Sequence, residues 1–257
     1  MNIQTKTTKV KKYILLLSIV ITIASCTTPQ TADHIIEKAI QKAGGEHYNH
    51  KKISFEFRGK TYVSCRDDGM YSLTRVTEDS VKIVDVLSND GFKRTIDDQQ
   101  IQLADTSKTK FSNSVNSVHY FAYLPYGLTG SAVNKELLGE VQINEQTYYK
   151  IKVWFDEQGG GEDFEDVFVY WIGKENYQMD YLAYEFHVNE GGMRFREAYN
   201  RREIGGIQFV DYNNYEPNDD STTVLELDSL FQKNELKLLS KIELEHIEVD
   251  TTSACQF

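Results

Sequence analysis

Helical spacing of apolar residues appears first in TADHIIEKAIQKAGG, residues 31–45, where Ile35, Ile36, Ala39, Ile40 and Ala43 form one stripe. Thr31 or Asp33 can cap the start by accepting a free backbone N–H. Gly44-Gly45 can end the helix by taking left-handed backbone angles. Alternation with a period of two then takes over. ISFEFRGKTYVSC puts Ile53, Phe55 and Phe57 on one side, MYSLTRV and VKIVDVL follow, and the Asp-Gly of SNDGF turns the chain into FKRTIDDQQIQLA. Helical spacing returns in TKFSNSVNSVHYFAYLPYGL. Phe111, Val115, Val118 and Ala122 recur there until Pro125 breaks the run, which predicts a helix over 107–123 lying across the strands. Beyond it, GEVQINEQTYYKIKVWF reads as a hairpin turning at Asn144-Glu145. FEDVFVYWI, QMDYLAYEFHV, GMRFREAYNRREI and IQFVDYNNYEP read as strands, LELDSLFQK as a short helix, and LKLLSKIELEHIEV as a last strand. The pattern predicts about eleven strands and a few helices. Strand follows strand through short turns, so the sheet should be mainly antiparallel.

The charged stretch RFREAYNRREIGGIQFVDYNNYEP, residues 194–217, fits this pattern. Met193, Phe195, Glu197 and Tyr199 share one face, and Arg194, Arg196 and Asn200 share the other. Gly205-Gly206 turns the chain, after which Ile207, Phe209, Asp211 and Asn213 alternate with Gln208, Val210 and Tyr212. Opposite charges across an antiparallel pair need no catalytic explanation. Glu197 and Asp211 fall on faces with aromatics, so each needs a polar partner, which the nearby arginines can supply.

The N-terminus sets the compartment. Lys6, Lys9, Lys11 and Lys12 precede the apolar run Tyr13–Ser25, and no acid occurs before Asp33. The run is shorter than the ~20 residues of a bilayer span, and its basic start and small-residue end mark a secretory signal. Ile23-Ala24-Ser25-Cys26 resembles a bacterial lipobox, which implies acylation of Cys26. The expected organisation is a signal peptide over 1–25, a lipidated tether over 26–31, one domain over 32–250 and a tail over 251–257. Thr27 stands where an aspartate would retain the protein in the inner membrane. The expected location is therefore the outer membrane, with the domain facing the periplasm and the lipid anchor as its membrane contact.

Removing residues 1–25 takes away four lysines and no acid, moving the formal net charge from −11 to −15. So acidic a domain excludes nucleic acid as a partner, because phosphates would repel it. Cys65 and Cys255 remain in an oxidising compartment, where they either pair or stay as two free thiols. Gly59-Lys60-Thr61 lacks the glycine of a phosphate-binding loop, since Ser54 holds its place, and a strand follows rather than a helix. His47 and His50 match no metalloprotease signature. Glu162, Asp163, Glu165 and Asp166 do not have the spacing of a calcium loop. No Gly-x-Ser-x-Gly elbow occurs. No catalytic residue, metal or cofactor is expected.

VYWIGKENYQMDYLAYEF, GGMRFREAYNRREIGGIQFVDYNNYEP and LKLLSKIELEHIEV resemble a family of uncharacterised envelope lipoproteins of Gram-negative bacteria. The order of leading helix, strands, inserted helix and further strands resembles the wider LolA/LolB superfamily of lipoprotein carriers and receptors. The proline common in that group's late strand is absent, with Phe209-Val210 in its place. The resemblance implies an α+β fold: a large curved antiparallel sheet, a half-open barrel, covered by helices over an apolar cavity. Some members of the narrower family carry a deoxyribose-phosphate aldolase label. That chemistry needs a Schiff-base lysine in a parallel barrel, and the chain lacks the alternating strand–helix order.

On this reading the chain is a non-catalytic module holding a lipid or acylated ligand. Phe111, Val115, Val118, Trp171, Tyr184, Phe195, Tyr199 and Phe209 are the candidate lining. Arg194, Arg196, Glu197 and Asp211 are the candidate polar groups. A structural or assembly lipoprotein without a small ligand is the alternative, as is an envelope hydrolase or lyase using carboxylates on the concave face.

Overall fold

The computed structural model describes residues 30–159, 164–188, 191–218, 221–250 and 255. Cys26, the segment read as a signal peptide and most of that read as a tether lie outside the described residues. The first helix, α1, spans Ala32–Ala43, and the Thr31 hydroxyl accepts the His34 backbone N–H at 3.2 Å. Gly44 ends it with φ at 143°. Ile35 and Ile36 are fully buried, a contribution of about 1.5–3 kcal/mol each.

Strands β1 (Lys51–Phe57), β2 (Lys60–Asp67), β3 (Met70–Glu78), β4 (Lys82–Ser88), β5 (Gly91–Ile96) and β6 (Gln99–Gln100) follow in a meander. Helix α2 spans Asp105–Tyr123. A second meander comprises β7 (Val133–Ile143), β8 (Gln146–Phe155), β9 (Val167–Gly173), β10 (Met179–Phe186), β11 (Gly192–Ile204) and β12 (Ile207–Pro217). The short α3 (Leu227–Gln232), β13 (Leu236–Ile242) and β14 (Glu245–Asp250) complete the order.

The strands form two seven-stranded sheets, β14-β1-β2-β3-β4-β5-β6 and β13-β12-β11-β10-β9-β8-β7. All pairings are antiparallel. The α+β class and the antiparallel order agree with the sequence reading. A single half-open barrel of about eleven strands does not: the described strands number fourteen, in two sheets, with no closed barrel. Each of the three extra strands comes from splitting a segment read as one. Arg58 and Gly59 take φ of 51° and 68° between β1 and β2, and Asp97 and Asp98 take 47° and 64° between β5 and β6. Paired positive φ values make the tight turns that suit hairpins. The third split, at Glu243-Leu244, is where the chain leaves the second sheet and joins the first.

That crossover is fastened by Asp211 and Arg202. Asp211 is 2% exposed. Its carboxylate accepts the Leu244 backbone N–H at 3.0 Å, the Asn200 amide at 2.6 Å and the Arg202 guanidinium at 3.0 Å. Arg202 in turn donates to the Leu244 carbonyl at 2.6 Å. One ion pair thus grips both polar groups of the linking residue. A bulge in β11 between Tyr199 and Arg202 brings Arg202 into place. At the β11–β12 turn, a Cβ on Gly205 would come within 2.6 Å of the Val249 side chain. The close passage of β14 therefore requires glycine there as much as its φ of 60° does. Cys65 and Cys255 are joined in a disulfide, which ties the end of the chain to β2.

Apolar side chains of the second sheet are buried on both faces. Tyr170, Ile172, Leu182 and Tyr212 pack with α1, while Val169, Trp171, Tyr181 and Phe195 pack with α3. This explains why β9 reads as a continuous apolar run, VFVYWIG.

Candidate functional site

Helix α2 lies between the sheets. Val118 and Ala122 pack with Phe55, Tyr62 and Phe209 in one cluster, whereas Tyr120 and Phe121 pack with Phe168, Tyr170 and Tyr184 in another. The Tyr120 and Tyr170 hydroxyls are 2.5 Å apart. Only Val115, His119 and Tyr123 of its nineteen residues are buried. Ala104 provides no side-chain cap, and the last turn has no basic residue to offset the helix dipole.

The seat of α2 is charged. Arg75, Asp85 and Arg94 stand directly opposite one another across β3, β4 and β5. Asp85, 1% exposed, accepts from Arg75 at 2.6 Å and from Arg94 at 2.6 Å. Arg75 also donates to Ser114 on α2 at 2.6 Å, and the Arg94 guanidinium lies 3.5 Å from the centre of the Phe111 ring. Towards the other end of α2, Arg196 lies 4.0 Å from the centre of the Phe121 ring. It donates to the Tyr184 hydroxyl at 2.9 Å and to the Asn214 side chain at 3.3 Å. Among the described residues no carboxylate pairs with Arg196, which is 7% exposed. Arg75, Arg94 and Arg196 therefore meet α2 with one carboxylate, Asp85, among them. Burial pushes the Arg196 pKa down from its ordinary value.

His119 points from α2 into the ring cluster of Phe55, Tyr62 and Tyr123. Its Nε2 lies 3.2 Å from the Thr74 carbonyl, and Nδ1 is buried without a partner. Burial drives its pKa down to about 3, so the ring is neutral at ordinary pH. Nε2 carries the proton and donates it to the carbonyl.

The structure brings together part of the candidate set from the sequence. Phe111, Val115 and Val118 belong to α2; Tyr184, Arg196 and Phe209 face it or its C-terminal end. Trp171 and Phe195 lie on the opposite face of the second sheet, under α3, where Trp171 Nε1 donates to Asp228 at 3.1 Å. Lys150 pairs with Asp228 at 3.0 Å and anchors α3 there. Glu197 accepts from Asn213 at 3.0 Å and from Tyr215 at 3.1 Å. Tyr199 donates to Glu243 at 2.7 Å beside the crossover, Asp211 clamps Leu244, and Arg194 lies 3.9 Å from Glu216. The partners of Glu197 and Asp211 are thus largely structural. Sequence reading missed Arg75, Asp85, Arg94 and His119.

The space beside α2 is mostly filled. Between α1, the end of α2 and the second sheet the gap is about 10 Å³, the room of a single water. A larger open cleft of about 340 Å³ lies at the β2–β3 end of the first sheet, and none of the candidate lining residues borders it.

The chain belongs to the family described as "Family of unknown function (DUF6503)", whose model matches residues 10–244. No curated protein matches it. Similar solved structures include a LolA superfamily protein from Nitrosomonas europaea, at 13% identity and a TM-score of 0.49, with 85% of this chain and 93% of that chain covered. A DUF1329 family protein from Desulfovibrio piger is 9% identical at a TM-score of 0.42, covering 88% and 95%. A putative outer membrane lipoprotein-sorting protein domain from Vibrio parahaemolyticus is 8% identical at 0.31, covering 79% and 99%.

Proposed function

We propose that the chain is a lipid-anchored envelope protein, held at the outer membrane through Cys26, that takes an apolar or amphipathic ligand where α2 now packs. The observation that supports this reading is the charged seat of α2. A helix serving only to fill a core would rest on apolar groups throughout. This one meets Arg75, Arg94 and Arg196, of which Arg196 has no acidic partner among the described residues. Lifting α2 would uncover the aromatic surface of Phe168 and Tyr184 together with guanidiniums that suit an anionic headgroup. The acylated ligand would replace the packing of Tyr120 and Phe121.

The test is uptake of a fluorescent fatty acid by a soluble form lacking residues 1–26. Arg196→Met should weaken binding of the acid by about tenfold, the worth of a hydrogen bond to a charged group. Binding of the corresponding neutral ester should change little. A second reading, a structural or assembly lipoprotein with no small ligand, is favoured by the smallness of the gap beside α1 and α2, about 10 Å³. Absence of uptake by the unmodified protein would leave that reading standing.

A further inference from the structure

The open cleft at the β2–β3 end of the first sheet is separate from the aromatic surface beneath α2. Its volume, about 340 Å³, falls in the range of small-molecule sites. Arg66 on β2, Tyr71 and Leu73 on β3, Asn116 on α2, and Asn49 and Tyr126 from the flanking turns form its walls. The wall is braced before any ligand arrives. Tyr126 stacks on Tyr48 with ring centres 4.5 Å apart and donates its hydroxyl to Asn49 at 2.9 Å.

Arg66 is the unusual member. Its guanidinium carbon lies 5.0 Å from the Tyr123 ring centre and 5.4 Å from that of Tyr126. These rings hold the group in place, yet its nitrogens make no hydrogen bond or ion pair among the described residues, and Nη1 is shielded from solvent without an acceptor. The neighbouring carboxylate in the cleft, Asp67, is engaged by His50. A guanidinium offers five N–H donors in a planar fork suited to a carboxylate or phosphate. Here that fork is positioned and lacks its counter-charge, in a protein whose net charge is −11. Leu73 and the Tyr71 and Tyr126 rings supply apolar surface beside it, and Asn116 adds an amide from the exposed side of α2.

We infer that this cleft binds a small ligand joining an anionic group to an aromatic or apolar body, with Arg66 receiving the anion. Binding needs no movement of α2, because the cleft is already open, so the inference stands apart from the function proposed above.

The test uses the full-length protein in membranes and a diazirine derivative of 3-phenylpropionate as a photoaffinity probe, with labelled residues mapped by mass spectrometry. Labelling is expected at Tyr71 and Tyr126. It should be competed by 3-phenylpropionate if the anion is a carboxylate, or better by phenyl phosphate if it is a phosphate, and far less by neutral 3-phenylpropanamide. Arg66→Gln should lower labelling about tenfold. Asn116→Trp, at an exposed helix position, should block the cleft while leaving Arg66 and the fold intact. Absence of labelling in the parent, competition by the neutral amide equal to that by the acids, or undiminished labelling in either variant would overturn the inference.

Discussion

Protonation of His119 should weaken the fold in mildly acidic solution by an amount set by its burial. Its pKa lies at about 3 in the folded protein and near 6.5 when the chain is unfolded. The unfolded chain therefore binds the proton more readily. The sign follows: stability from this group is fully present above pH 6.5 and is lost as pH falls below it, down to about 3. Between pH 7.5 and pH 5 the loss should be about 2 kcal/mol, at 1.36 kcal/mol per pH unit below the unfolded pKa. The assay is urea unfolding at both pH values for the parent and for His119→Gln, which has an amide to donate to the Thr74 carbonyl and no titrating ring. Other titrating groups affect both proteins alike, so the parent should lose about 2 kcal/mol more than the variant over this interval. Equal losses in the two would refute the assignment of a neutral, buried ring beneath α2.

Asp211→Ala should cost about 2–3 kcal/mol, since it removes hydrogen bonds to a charged group, frees the Leu244 N–H and leaves Arg202 without its carboxylate. The midpoint of urea unfolding reads this, and hydrogen exchange should rise first in β14. Replacing Cys65 and Cys255 together by serine should lower stability by about 2–4 kcal/mol through the larger freedom of the unfolded chain, with the same loss on reduction of the parent. Cys26→Ala should release the protein from the membrane fraction or block its processing, and a variant still processed and membrane-bound would contradict lipid attachment there.

Local chemistry carried much of the fold into view. Thr31 and Gly44 bound α1 where their cap chemistry places them, and Asn144 turns β7 into β8 with φ at 53°. Two of the three missed turns had local signals, a glycine after Arg58 and the aspartate pair at 97–98. The third did not. Glu243-Leu244 carries no turn residue, and the break there depends on Asp211 and Arg202, which approach from β12 and β11. The buried Arg75–Asp85–Arg94 row was legible once the hairpin turns were assigned. Counting back from Asn89-Asp90 sets Asp85 opposite Arg94, and the preceding turn sets Arg75 opposite Asp85. Alternation also separated Arg196 from Phe195. It could not tell which of them meets α2, because the second sheet is covered on both faces. The open-cleft residues, Arg66 and Tyr126 among them, come together from separate turns and strands, so no single stretch announces them.

The most direct test of the proposed role is the lipid that stays with the protein. Full-length protein purified from its native host, alongside Arg196→Met, would be extracted and its non-covalent lipids quantified by mass spectrometry. Binding beneath α2 predicts one class of anionic acyl lipid at near-stoichiometric yield with the parent and several-fold less with the variant. Lipid that matches the bulk membrane in both preparations, in kind and amount, would contradict it.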